Sequence, residues 1–259
     1  MVQGERFALK PAEIAAVFPP AGSLGDHANV LPHLVLTRST LPWEREAQAG
    51  SAEVPWLALL VLDEEELVPS VGKAQAHTLP LSDLLAANTG LGWPGVALEQ
   101  GQAADMKVNV VDIDADAIDD MMPTATELRY LTHVRQGLDA HDQPQGEELA
   151  IVIANRLPKP GVTSVVHLVS LENRYLKGAF VKVSPAPASY RFISLKSWRF
   201  SCLPAQADFA GLLQKLAKAA GSQWQQLASA TGYRCWQQPT GAVLLTGLCI
   251  AAPFHAWRG

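Results

Sequence analysis

Cysteine is scarce in this 259-residue chain: Cys202, Cys235 and Cys249 form an odd set with no CxxC spacing. That pattern excludes a disulfide scaffold and a cysteine-based zinc site, and buried free thiols in a reducing compartment are the expectation. Asn-x-Ser/Thr acceptors are absent as well. The opening Met1-Val2-Gln3-Gly4-Glu5-Arg6 has no basic segment followed by an apolar one, so no secretory signal is expected and the mature chain is expected to begin at Met1. Long apolar runs are also missing. The longest weakly polar stretch, Ala242 to Phe254, is 13 residues long and contains Thr246, Gly247 and Pro253, against the roughly 20 that span a bilayer. The expectation is a soluble cytoplasmic protein with no membrane contact.

Complete catalytic signatures are lacking too. The seven histidines, His27, His33, His77, His133, His141, His167 and His255, show neither HExxH nor another zinc-ligand spacing. No GxSxG elbow and no cysteine-protease signature occurs. Gly90-Leu91-Gly92-Trp93-Pro94-Gly95 matches GxGxxG by letter. A dinucleotide site, however, needs a strand before the glycines and a helix after them; here a helical pattern precedes them and Pro94 interrupts any helix starting among them. Asp112, Asp114 and Asp116 occupy positions 1, 3 and 5 of an EF-hand loop, but Ala117 stands where glycine is required and Pro123 where a bidentate glutamate belongs. A solvated acidic loop is expected there, and no metal and no cofactor anywhere.

What the chain does have is a globular composition, 48% apolar and 17% charged, enough to offset chain entropy by burial. Its charge is unevenly placed. Residues 1–98 carry 11 acids and 5 bases, residues 99–148 carry 12 and 3, and residues 149–259 carry 2 acids, Glu172 and Asp208, against 12 bases. Such a gradient implies that the halves pack on each other, that copies associate head to tail, or that the basic part meets a polyanion. The bases are scattered singly, which disfavours nucleic acid.

The periodicities predict an α+β fold of mixed, largely antiparallel sheet with a few short helices. One or two helical turns are expected over Pro11–Phe18, and an edge strand over Val30–Leu36, where Pro32 interrupts. Val54–Leu62 reads as a strand buried on both faces, Leu81–Ala87 as a short helix, and Val108–Ile113 and Ser164–Leu171 as strands. Tyr130–Leu138 and Glu148–Leu157 flank a polar turn and predict a hairpin. A helix from Thr124 competes, because Thr124 and Glu127 fit a capping box and Leu128, Leu131, Val134 and Leu138 keep helical spacing. Tyr190–Cys202 is extended, with Tyr190, Phe192, Trp198 and Phe200 on one face, which reads as core rather than a base-stacking platform. The one clear amphipathic helix is expected near 206–220, with a second from Ser222 and a final strand over Val243–Ala251. A single compact domain is expected over 1–259, with sub-division into 1–100 and 101–259 as the alternative.

The functional expectation is a non-enzymatic structural or interaction subunit of a larger assembly, homo- or hetero-oligomeric, for which a phage-tail-like or other multiprotein particle would be a fitting context. Trp43, Trp56, Trp93 and Trp257 are its candidate interface anchors. The alternative is a hydrolase whose site assembles in space, with Asp26, His27 and His33 as its first suspects because a carboxylate can orient an imidazole base. The third reading is nucleic-acid binding through the basic C-terminal part.

Overall fold

The computed structural model describes residues 6–68, 72–86, 91–99 and 101–204. All of these fall in one compact unit, 1–205, distinct from a second, 206–259. The helices expected at 206–220 and from Ser222, the strand over Val243–Ala251, and Trp257, Cys235 and Cys249 lie outside the described residues.

Along the chain come β1 (Ile14–Phe18), β2 (Leu24–Gly25), β3 (His33–Leu36), β4 (Leu57–Asp63), β5 (Ala74–Pro80), α1 (Leu81–Leu85), β6 (Leu91–Gly92) and β7 (Lys107–Asp114). Next are α2 (Ile118–Met121), α3 (Ala125–Leu131), β8 (Thr132–Leu138), β9 (Pro144–Ile153), β10 (Thr163–Ser170), β11 (Tyr175–Leu176), β12 (Ala179–Phe180) and β13 (Ser189–Cys202). One sheet has the order β4-β10-β13-β7-β5, with β2 and β6 joining β13 in parallel. A second has the order β1-β3-β9-β8, and its neighbours are all antiparallel. The described fold is therefore mostly antiparallel β with a few short helices.

The two sheets share one apolar core. Leu34, Leu36, Ala150 and Val152 of the second sheet cluster with β4, Val166, Leu168, Phe192, Trp198 and Phe200 of the first. All seven residues of β4 are buried, as its unbroken apolar sequence predicts. The strand stops where the acids begin: the Asp63 main-chain N–H donates to Glu66 Oε2 at 3.0 Å, closing a 3-10 turn over Glu64–Leu67. Tyr190, Phe192, Trp198 and Phe200 are all interior, so β13 offers no aromatic platform to a nucleic acid. Strands from either side of residue 100 pair, β4 with β10 and β5 with β7.

Three local expectations are corrected. Pro11–Glu13 forms a single 3-10 turn, and Ile14–Phe18 is strand β1 rather than helix, because its β-branched and aromatic residues find a ladder partner in β3. β3 lies between β1 and β9 and not at an edge. Pro32 immediately precedes the strand, so its missing N–H removes no ladder bond, while its carbonyl accepts from Ala154 N–H at 2.8 Å. The competing readings of 124–138 are both realised, one after the other. The capping box forms, with Glu127 N–H donating to Thr124 Oγ1 at 3.2 Å and Thr124 N–H to Glu127 Oε2 at 2.7 Å, and α3 runs from it. At Thr132 the chain turns extended and pairs with β9.

Candidate functional site

Asp26, His27 and His33 sit around the loop between β1 and β3. Phe18 lies between the two imidazoles, stacked on His33 at 5.3 Å and edge-on to His27 at 5.8 Å. His27 also meets Phe200 edge-on at 5.8 Å. Its Nε2 is 3.2 Å from Ser23 Oγ, a hydroxyl that the sequence pattern does not single out; no motif marks a serine four residues before a histidine. Asp26 is exposed, and among the described residues it makes no hydrogen bond or ion pair with either imidazole. His33 Nδ1 is spent on the Leu31 carbonyl at 3.2 Å. The three suspects thus share a loop but do not form an Asp-His relay. Cys202, nearby at the end of β13, takes a hydrogen bond from the His27 main-chain N–H, yet burial pushes its thiol up and leaves it a poor nucleophile.

Part of the charge gradient is met by ion pairs within the described residues. Arg156 clasps Glu66 at 3.0 and 2.8 Å, Lys159 lies 2.6 Å from Asp63, Arg191 grips Asp112 at 2.8 Å through two nitrogens, and Arg199 and Lys182 meet Glu64 and Asp119. Each of these bases follows residue 148 and each acid precedes it. Burial works against the Glu66 charge, but the Arg156 hydrogen bonds and the Asp63 N–H hold its carboxyl below the usual range. A further network joins distant segments: Arg6 to Glu172 at 2.6 Å and Arg45 to Glu99 at 2.8 Å, with Arg45 over the Trp56 ring. Ion pairs within the described residues thus join five bases after residue 148 to acids before it. Asp112, the first EF-hand position, is a buried ion-pair partner, and no group of three metal-ligating side chains occurs among the described residues.

Of the proposed tryptophan anchors, Trp56 is wholly enclosed and donates its indole N–H to the Leu41 carbonyl at 2.7 Å, so it offers no contact surface. Trp43 and Trp93 are half-buried against the core, and Trp93 donates to the Leu84 carbonyl at 3.0 Å. They pin loops to the body. Gly92 of the GxGxxG match lies in β6 beside β13, where a Cβ would come within 2.2 Å of the Tyr190 ring, and no helix follows it. Arg174 is buried between Trp93 and Phe192, donating to the Gly92 and Arg191 carbonyls; burial pushes its pKa down to about 9.

Two clefts among the described residues lie away from the histidine loop. One of about 460 Å³ is lined by Val68, Gln75, Asp112, Asp114 and Ser189 among others, and a second of about 430 Å³ by Glu64, Leu67, Val165, Ser197, Trp198 and Arg199. Neither includes Ser23, His27 or His33.

The feature with the least to do with the body is the far end of the β8–β9 hairpin. Thr132, Ala150 and Val152 are buried at its root, but from Val134 to Glu148 every residue except the half-buried Asp139 is exposed. Its order comes from turn chemistry. Asp139 Oδ1 accepts from the main-chain N–H groups of His141 at 2.8 Å and Gln143 at 2.9 Å, Asp139 N–H donates to the Gln143 carbonyl at 2.8 Å, and Asp142 takes φ 58°. The ladder slips between Arg135 and Gly137, where β9 carries the excess residues and Gly146 at φ 83° absorbs the bend. The arm holds Asp139, Asp142, Glu147 and Glu148 against Arg135 alone, and none of these four acids joins an ion pair among the described residues. Val134 and Leu138 expose 42% and 60% of their surface. No family model, no curated protein and no solved structure matches the chain, so the fold and its surfaces carry the functional reading alone.

Proposed function

We propose that this chain is a non-enzymatic interaction subunit of a larger protein assembly, which docks through the β8–β9 arm. One observation carries the reading: fifteen successive residues, 134–148, form an ordered ladder and turn in which none is buried. A two-stranded hairpin alone is marginal in water. An arm that adds nothing to its own core, yet is locked at the tip, is pre-organised for a contact outside the body. The test is to replace residues 136–148 by Asn-Gly, a two-residue turn that closes an antiparallel pair, in the source cell, and to size the tagged chain in extracts. The unaltered chain is expected above the mass of the free protein, as a dimer or a larger species, and the shortened one at that mass. Both chains at the free mass would overturn the reading.

A hydrolase is the second reading, favoured by the 3.2 Å contact of Ser23 Oγ with His27 Nε2. Among the described residues no carboxylate hydrogen-bonds His27 to orient it in a triad. A fluorophosphonate probe that labels the unaltered chain but not Ser23→Ala would establish it, and no labelling removes it.

A further inference from the structure

The arm is exposed along one side in a specific way: β8 is the terminal strand of the β1-β3-β9-β8 sheet. Every second residue of an edge strand turns its main-chain N–H and C=O away from the sheet, so β8 presents a row of unused donors and acceptors. Folded proteins blunt such edges with proline, lysine, bulges or short length. β1, at the other edge of the same sheet, is only five residues long, has an irregular register between Ile14 and Ala16, and is followed by Pro19-Pro20. β8 spans seven residues with no proline and no lysine, Arg135 is its one formal charge, and where its ladder slips between Arg135 and Gly137 the extra residues lie on β9, so β8 itself carries no inserted residue.

We infer that β8 is a self-complementary edge that pairs antiparallel with β8 of a second copy, joining two four-stranded sheets across a two-fold axis. This rests on the reading of the arm as the docking element and names its partner. The residue order chooses the register. An axis through Arg135 would set two guanidinium groups opposite each other, which like-charge repulsion disfavours. An axis one residue on, through Gln136, sets Val134 opposite Leu138 of the second copy, and does so twice. These are the two exposed apolar side chains of the strand. The same register brings His133, whose Nε2 accepts from Arg135 Nε at 3.0 Å, beside the Asp139 turn of the second copy. Val134, Gln136 and Leu138 alternate onto one face, so the joined sheet carries two Val134–Leu138 pairs flanking a central pair of Gln136 side chains, where each copy alone has two isolated apolar residues. A two-fold contact of this kind is isologous and closed, giving a dimer and no filament.

The register makes a sharp test on the purified full-length chain. Light scattering across concentration is expected to show monomer and dimer, with a mass little changed by added salt because main-chain and apolar contacts dominate. Leu138→Lys places a charge opposite Val134 at a site already exposed in the free chain. It is expected to weaken the dimer at least about tenfold while far-UV circular dichroism stays unchanged. Residues opposite each other in an antiparallel pair have Cα atoms about 4.5–5.5 Å apart, within the range a disulfide spans. Gln136→Cys is therefore expected to give a covalent dimer on mild oxidation, whereas the unaltered chain, oxidised alongside, gives none through its native cysteines. A monomer at every concentration, or a dimer that Gln136→Cys fails to trap and Leu138→Lys fails to weaken, would overturn the β8 pairing. If the purified chain is monomeric but the extract shows an arm-dependent particle, the pairing is wrong and the docking reading stands. If the particle does not depend on the arm, the docking reading falls too.

Discussion

β10 and β9 are both antiparallel strands of similar length, yet they owe their order to opposite causes. β10 runs between β4 and β13 with six of its eight residues buried, and its sequence, rich in Val and Leu, is what a strand covered on both faces requires. The outer half of β9 has no buried residue and is held by its ladder to β8 and by the Asp139 turn. Ladder geometry alone does not tell a core strand from an arm. Burial does, and it predicts a steep difference in sensitivity to substitution.

The largest effect is expected in the core. Trp56→Ala should cost about 4 kcal/mol in urea unfolding, since it opens a cavity and strands the Leu41 carbonyl. Val134→Ala on the arm should stay within about 0.5 kcal/mol. Equal costs at the two sites would break the comparison. Next come the buried ion pairs. Asp112→Asn leaves Arg191 charged and enclosed, and is expected to cost about 3 kcal/mol, whereas Asp112→Leu with Arg191→Met should recover most of it. Failure of the paired change to recover stability would mean that the pair is itself strongly stabilising.

A pH dependence of similar size belongs to His167, inside the first sheet. Its Nδ1 is 2.9 Å from Ser194 Oγ, its Nε2 has no partner among the described residues, and burial pushes its pKa down to about 4. The native state thus stays unprotonated while the unfolded chain takes up a proton below about pH 6.5. Stability from this residue is full above that pH and falls as pH drops towards 4, by about 3 kcal/mol in all. Comparing the unaltered chain with His167→Leu across pH 4–7 isolates the contribution, and parallel curves would refute it. The smallest effect is the cap where helix gives way to arm: Thr124→Ala is expected to cost about 1 kcal/mol. A cost near zero would show that α3 is held by Leu128 and Ala125 in the core and not by its cap.

Much of the β framework was legible because core strands announce themselves. Leu57–Leu62, Val108–Ile113, Ser164–Ser170 and Tyr190–Cys202 are apolar or alternate aromatic with polar, and each became a strand. The segments that depart from the sequence expectation are those whose conformation is set by a distant partner. Ile14–Phe18 has apolar residues that suit either helix or strand until β3 lies beside it, and only the placement of Pro32 outside the ladder lets β3 sit inside the sheet. The switch at Thr132 was hidden because Leu128, Leu131, Val134 and Leu138 keep helical spacing straight across it. The functional residues were less legible still. Charge counts along the chain show the asymmetry but not which of its bases meet acids across the fold, and Trp56 reads the same whether enclosed or exposed. Ser23 meets His27 only because a loop folds back along β13, where Ser201 N–H donates to the Ser23 carbonyl at 2.9 Å.

Arg174 gives the loop around Gly92 a property that ordinary packing would not. Its guanidinium keeps its charge at neutral pH inside an aromatic clamp, satisfied by one carbonyl from the loop and one from β13. A half-lifted loop would deprive that charge of a carbonyl before water could reach it, so intermediate positions are the least favourable ones. Opening of this segment is therefore expected to be cooperative, and its amide protons to exchange together in a single step rather than fray one at a time.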